Sequence, residues 1–219
     1  MNTREFIARR AAKELEDGML VNLGVGIPTM VPSFLPEGEH VTLHAENGVV
    51  GMGTPAAPGE ESKEQVDPAG KYINMEPYAA FIDSAMSFSI VRGGHLDISI
   101  LGALEVAENG DIANWTVPGK KMNGMGGGMD LLVGARKVIV AMEHKNKAGG
   151  AKILKKCTMP LSAKKEVDMI ITEMAVIDVV PGKGLVLKEI APGLTVEDVQ
   201  AATEATLIIE GEVKTINVE

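Results

Sequence analysis

Glu46 lies in the run Leu43-His44-Ala45-Glu46-Asn47-Gly48-Val49-Val50-Gly51-Met52-Gly53, between an apolar stretch with the character of a strand and a glycine-rich turn. A carboxylate at such a junction is held by backbone geometry, partly stripped of water, and presented with little side-chain disorder. A nucleophile or general base needs those conditions. Asn-Gly is also a common turn signal, so the same residues equally describe a surface carboxylate beside a bend.

A second run, Lys121-Met122-Asn123-Gly124-Met125-Gly126-Gly127-Gly128-Met129-Asp130-Leu131, sets four glycines in five positions. Without side chains the backbone approaches a ligand closely and turns its N–H groups toward an anion, as oxyanion holes and phosphate nests do. The run lacks the Lys-Ser/Thr ending of a P-loop and the Gly-x-Gly-x-x-Gly spacing of a dinucleotide site. A flexible turn before a helix starting near Asp130 is the competing reading. Gly24-Val25-Gly26-Ile27-Pro28 is a third candidate: two glycines open a helix whose N-terminus favours an anionic group, and close helix–strand packing would explain them as well.

The other reactive residue types offer less. Glu143 to Lys152, followed by Lys155-Lys156-Cys157, is the one dense basic patch, suited to cofactor phosphates, an acidic partner surface, or simple solvation of a loop. His44, His95 and His144 have no metal-ligand spacing, and His40 falls in a polar turn; all four read as structural, and no metal site is expected. Cys157, the single cysteine, has no nucleophile signature and reads as buried and inert. No Gly-x-Ser-x-Gly elbow supports a hydrolase triad.

These residues need a scaffold. Thr3 to Asp17 has apolar positions at helical spacing, with Thr3 as N-cap and Gly18 as stop. Met19–Leu23 reads as a buried strand leading through Gly24 and Gly26 into a helix at Pro28, and Val41–His44 as a second strand leading to Glu46. Both turns fall on the C-terminal side of a strand, where open parallel sheets place ligands. Residues 54–78, rich in proline and glycine, read as a long surface excursion. Beyond it come a helix over 81–92, strand character over 97–106 closed by Asn109-Gly110-Asp111, strands at 137–142, 169–172 and 184–190, and a helix over 195–206 with a capping box at Thr195 to Asp198. The expectation is one α/β domain over 1–219, an open mixed, largely parallel sheet flanked by helices.

Composition narrows function. The chain has 219 residues, 45% of them hydrophobic, enough for one large core. A net charge of −9 with 3% aromatics argues against nucleic-acid binding. One cysteine suits a reducing compartment. The charged N-terminus lacks a signal-peptide core, and no stretch approaches the roughly 20 apolar residues of a membrane span, so a cytoplasmic protein off the membrane is expected.

Taken together, the Glu-Asn-Gly segment, the Gly-Met-Gly-Gly-Gly-Met-Asp loop and their order resemble the β subunit of family I 3-oxoacid CoA-transferases, of the acetate/butyrate-acetoacetate or succinyl-CoA:3-ketoacid type. Supporting runs extend nearly end to end, including Arg92–Asp97, Leu101–Val106, Asn114–Lys120, Lys156–Leu161 and Thr172–Asp178. The resemblance implies a ping-pong reaction through an acyl-glutamyl anhydride and a glutamyl-CoA thioester on Glu46, with oxyanion donors near Gly127 and Gly128. It implies CoA contacts at Asn47, Gly48, Gly24, Gly26 and Gly126. It further implies no tightly bound cofactor, CoA and acyl-CoA as substrates, and an α subunit partner in an α2β2 assembly. Many relatives carry alanine where this chain has Gly128. The implied fold is distantly similar to ribose-5-phosphate isomerases. A sugar-phosphate isomerase-like enzyme, an acyl-CoA hydrolase and a non-catalytic scaffold subunit are the competing functions.

Overall fold

The computed structural model describes residues 1–119 and 124–218. Lys120 and the Lys121-Met122-Asn123 start of the second glycine run lie outside the described residues. In chain order the elements are α1 (Thr3–Ala12), β1 (Leu20–Leu23), a 3-10 helix (Ile27–Phe34), β2 (Thr42–Ala45), β3 (Val49–Pro55), β4 (Ile73–Phe81), α2 (Ser84–Arg92), β5 (Ile98–Leu101), β6 (Glu105–Ala107), β7 (Ile112–Ala113), α3 (Gly128–Gly134), β8 (Lys137–Ala141), β9 (Ile153–Leu154), β10 (Met169–Ile171), β11 (Ala175–Val180), β12 (Gly184–Ile190), α4 (Val196–Ala202) and β13 (Leu207–Thr215).

Ten strands form one sheet in the order β13-β12-β11-β10-β8-β5-β1-β2-β3-β4, and β7-β6-β9 form a small second sheet. The central strands β2, β1, β5, β8 and β10 are parallel, while β3 and β4 on one flank and β11 on the other run antiparallel to their neighbours, and β12 and β13 beyond β11 pair parallel with each other. The sheet is therefore mixed with a parallel centre, as the sequence predicts. Central strands are covered on both faces and so read as continuous apolar runs. In β8, Val138 and Val140 face a core shared with Val91 of α2, Leu131 and Leu132 of α3 and Val199 of α4. Ile139 and Ala141 face the opposite core, built on Ile7, Ala8 and Ala11 of α1.

The chain passes from β1 to its neighbour β2 on one side and later builds β5, β8 and β10 on the other. This reversal opens a crevice beyond the carboxyl ends of β1 and β5. Gly24 borders it: its N–H donates to the Ile100 carbonyl at 2.8 Å, and a Cβ there would meet the Leu101 backbone at 3.3 Å.

Several expectations change. Asn2, not Thr3, caps α1, its Oδ1 accepting from the Glu5 N–H at 2.9 Å, and regular helix stops at Ala12. The helix after Gly26 is 3-10, with Pro28 at its start and Pro32 inside it. The excursion is shorter than 54–78, because β4 begins at Ile73 and pairs with β3. Phe81 ends that strand, and α2 starts at Ser84 with Asp83 as its cap. Strand character over 97–106 divides between β5 in the large sheet and β6 in the small one. The capping box at Thr195 and Asp198 is present, but α4 ends at Ala202.

Candidate active site

Glu46, Asn47 and Gly48 form the turn joining β2 to β3. The Gly48 N–H donates to the Ala45 carbonyl at 3.0 Å, and Gly48 holds a φ of 115°, which excludes most side chains. A Cβ at Gly48 would also collide with the Ile82 carbonyl. Gly48 is thus buried and shapes the turn. Asn47 is exposed, and its Nδ2 donates to the Val66 carbonyl at 2.8 Å, tying the turn to the excursion.

Glu46 faces a cavity of about 480 Å³ at the crevice, which it shares with Gly24, Gly102, Trp115, Met125 and Gly128. The glycine loop lies against the carboxylate. A Cβ at Gly127 would overlap Glu46 Oε2 and come within 2.7 Å of the Phe88 ring, so only glycine fits there. Gly126 holds a φ of 58°, and a Cβ on it would sit 3.6 Å from Glu46 Oε1. Gly128 opens α3 with ample room, its nearest neighbour to a Cβ being Met125 Cγ at 3.7 Å.

Burial raises the Glu46 pKa, the Gly127 backbone N–H bonded to the carboxylate lowers it, and the nearby Asp130 carboxylate raises it; the net shift is upward. Arg92 Nε pairs with Asp130 Oδ1 at 2.7 Å. The site therefore holds a partly desolvated carboxylate, an amide donor on it, and open volume in front of it, an arrangement suited to covalent or acid–base chemistry at an acyl carbon.

Of the residues singled out from sequence, the crevice brings together Glu46, Gly24, Gly126, Gly127 and Gly128. Gly26 instead borders a neighbouring hollow of about 220 Å³ that also contains Arg4, Glu143 and Lys152. Burial lowers the Lys152 pKa, but Lys145, Lys147, Lys155 and Lys156 of the same basic patch are exposed. His144 is fully buried between the Thr172 and Thr203 hydroxyls, at 2.9 and 2.8 Å, with its pKa lowered to about 4, chiefly by burial. Cys157 is half-buried, and burial, with Glu105 and Asp111, pushes its thiol up to about 12, so it is inert. Among the described residues no cluster of His, Cys, Asp or Glu could hold a metal ion, and no helix is long and apolar enough to cross a membrane.

Sequence reasoning missed Ser87 and Phe88 of α2. Ser87 Oγ donates to the Glu46 carbonyl at 3.0 Å, and Phe88 packs against the space over Gly127. Neither carries a local motif, since their meaning depends on where α2 lands.

A family model described as Coenzyme A transferase matches residues 4–202. The beta subunit of the acetate CoA-transferase of Escherichia coli K12 is 50% identical over 98% of this chain and 98% of its own length. One subunit of the succinyl-CoA:3-ketoacid coenzyme A transferase of Helicobacter pylori 26695 is 44% identical over 92% of this chain and 97% of that protein. Among solved structures, an acyl-CoA transferase apoenzyme from Escherichia coli O157:H7 superposes with a TM-score of 0.78 at 24% identity, covering 99% of this chain. This chain spans 44% of that longer polypeptide.

Proposed function

Because the chain belongs to the coenzyme A transferase family, we propose that it transfers CoA between an acyl-CoA and a short-chain carboxylic or 3-oxo acid, with Glu46 as the nucleophile. The observation that carries this reading is the Glu46 carboxylate set against the Gly127 amide at the switch-point crevice.

A Glu46 carboxylate oxygen attacks the thioester carbonyl carbon. A C–O bond forms, the C–S bond breaks, and CoA leaves as thiolate, giving an acyl-glutamyl anhydride. The thiolate then attacks the glutamyl carbonyl of that anhydride, releasing the first acid as carboxylate and leaving a glutamyl-CoA thioester. The acceptor carboxylate runs both steps in reverse. Thioester and anhydride are close in reactivity, so one side chain carries CoA between two acids without water. Each addition places negative charge on an oxygen, and the backbone N–H groups of Gly127 and Gly128 are the proposed donors to it. Gly24 on the crevice wall, Gly126 beside the Glu46 carboxylate and Asn47 on the turn are the proposed CoA contacts, with Gly26 in the adjoining hollow. Binding of the distant parts of CoA would favour the transition state over the ground state.

Both relatives cited are named as single subunits of their enzymes, the first as the beta subunit, which supports an α subunit partner, proposed here as an α2β2 assembly. A sugar-phosphate isomerase would need cations to hold a phosphate, and no lysine or arginine is among the described residues around the crevice.

The test mixes the chain with its partner subunit and acetyl-CoA, treats it with borohydride, and maps the reduced residue by mass spectrometry. Reduction at Glu46 is expected, and Glu46→Gln should abolish exchange while leaving assembly intact. Reduction elsewhere, or exchange retained by Glu46→Gln, overturns the assignment. Release of free CoA without an acceptor acid would identify a hydrolase instead.

A further inference from the structure

Behind Glu46 three buried polar side chains are joined in a line. Asn22 of β1, His44 of β2 and Ser87 of α2 are 2%, 1% and 0% exposed. Asn22 Nδ2 donates to the His44 carbonyl at 3.0 Å and lies 3.2 Å from His44 Nδ1. His44 Nε2 lies 2.9 Å from Ser87 Oγ, and Ser87 Oγ lies 3.0 Å from the Glu46 carbonyl oxygen.

The direction of every proton in this line follows from its ends. The amide nitrogen of Asn22 has only hydrogens to give, so His44 Nδ1 accepts and the imidazole is neutral with its hydrogen on Nε2. That hydrogen is donated to Ser87 Oγ. The Ser87 hydroxyl hydrogen then has one acceptor, the Glu46 carbonyl. Burial lowers the His44 pKa, which keeps the ring in the neutral form the line requires. A protonated ring would set an N–H against the Asn22 N–H.

We infer that Ser87, oriented by His44, is a positioning residue that fixes the peptide of Glu46 and thereby aims its carboxylate at the glycine loop. The inference rests on Glu46 being the nucleophile. Three observations make the line more than a satisfied core network. It ends on the backbone of the residue that bears the carboxylate. That residue sits in a short turn, where a peptide rotation would swing the side chain. The next residue on the same helix, Phe88, packs against the place a Cβ on Gly127 would fill, so one turn of α2 indexes both the carboxylate and the amide that meets it. A carboxylate misplaced by about 1 Å loses on the order of 100-fold in rate even when its chemistry is intact.

The test compares the unsubstituted chain, Ser87→Ala and Ser87→Cys, each assembled with the partner subunit and mixed with acetyl-CoA. Intact mass follows the growth of the CoA adduct on Glu46. The substituted enzymes should form it about 10- to 100-fold more slowly, reach the same final labelled fraction, and show a lower kcat with an unchanged KM for acetyl-CoA. Cysteine nearly preserves the serine volume while donating weakly, so it carries the test should the alanine form not fold. Adduct growth at the unsubstituted rate, or a smaller labelled fraction formed at that rate, overturns the positioning role. Absence of a Glu46 adduct in the unsubstituted enzyme would overturn the nucleophile assignment itself.

Discussion

Burial and the Asp130 carboxylate both make Glu46 harder to ionise, and the Gly127 amide only partly opposes them. The sign of the resulting linkage is that of a raised carboxylate. In the folded chain the ionised form is disfavoured relative to the unfolded chain, and the cost appears as pH rises from 4.5, the ordinary value, through the raised one. Glu46→Gln should therefore raise the thermal midpoint at pH 7, by about 2 °C for a chain of this size, and the gain should vanish below pH 4.5. Thermal scans at both pH values check this, and an equal gain at both would show that desolvation of the carboxylate is not its source. With Glu46 as the proposed nucleophile, the adduct-forming rate should have an acid limb centred above 4.5, since only the ionised carboxylate would attack. Glu46 is legible in sequence because its strand, its turn and its glycines are contiguous. Ser87 is not, because it acts across 41 residues of chain.

At the scale of the element, the glycine loop is two different kinds of glycine. At Gly127 a side chain would occupy the position of Glu46 Oε2 and press on Phe88, whereas at Gly128 a methyl group enters open space. Gly127→Ala should reduce transfer by about 100-fold through displacement of the carboxylate, while Gly128→Ala should stay within about threefold, because alanine also favours the first turn of α3 over glycine. Steady-state rates of the two variants decide it, and equal losses would show that the loop works through flexibility. The sequence displays both as members of one glycine run, because a close approach from a residue 81 positions away leaves no local mark. The same reason explains the elements read well and badly. β1, β5, β8 and β10 are apolar runs whose burial is nearly independent of partner. β4 and β13 lie at the sheet edges and bury only one residue each, so their sequences carry charge, proline and glycine and resemble loops until a neighbouring strand pairs with them.

In the whole molecule, the crevice depends on ten strands keeping their order, and the widest ties come from a charged cluster on the face opposite α2. Arg10 of α1 is 7% exposed and grips Glu189 of β12 with two bonds, at 2.8 and 2.9 Å, while its third reaches Glu14 at 2.8 Å. Glu14 also takes Lys137 Nζ of β8 at 2.7 Å. Burial pushes the Glu14 pKa up, but its bonds to Lys137 and Arg10 outweigh that and the net shift is downward. Its contribution to stability is therefore present above pH 4.5 and lost as pH falls through the lowered value. Removing Arg10 takes the guanidinium from Glu189 and leaves Glu14 with Lys137 alone, and breaking a largely buried pair in this way costs about 3 kcal/mol. Arg10→Ala should lower the thermal midpoint by roughly 10 °C at pH 7. It should leave the adduct-forming rate at 25 °C unchanged, because Arg10 touches nothing in the crevice. The loss should shrink as pH falls below 4.5 through the lowered Glu14 value, where that carboxylate takes up its proton and the native chain gives up its part of the cluster. Circular dichroism melts of the two chains from pH 7 down to pH 3 test this, and a loss of midpoint that stays constant over the whole range would mean that Arg10 acts through the packing of its aliphatic stem and not through its charge.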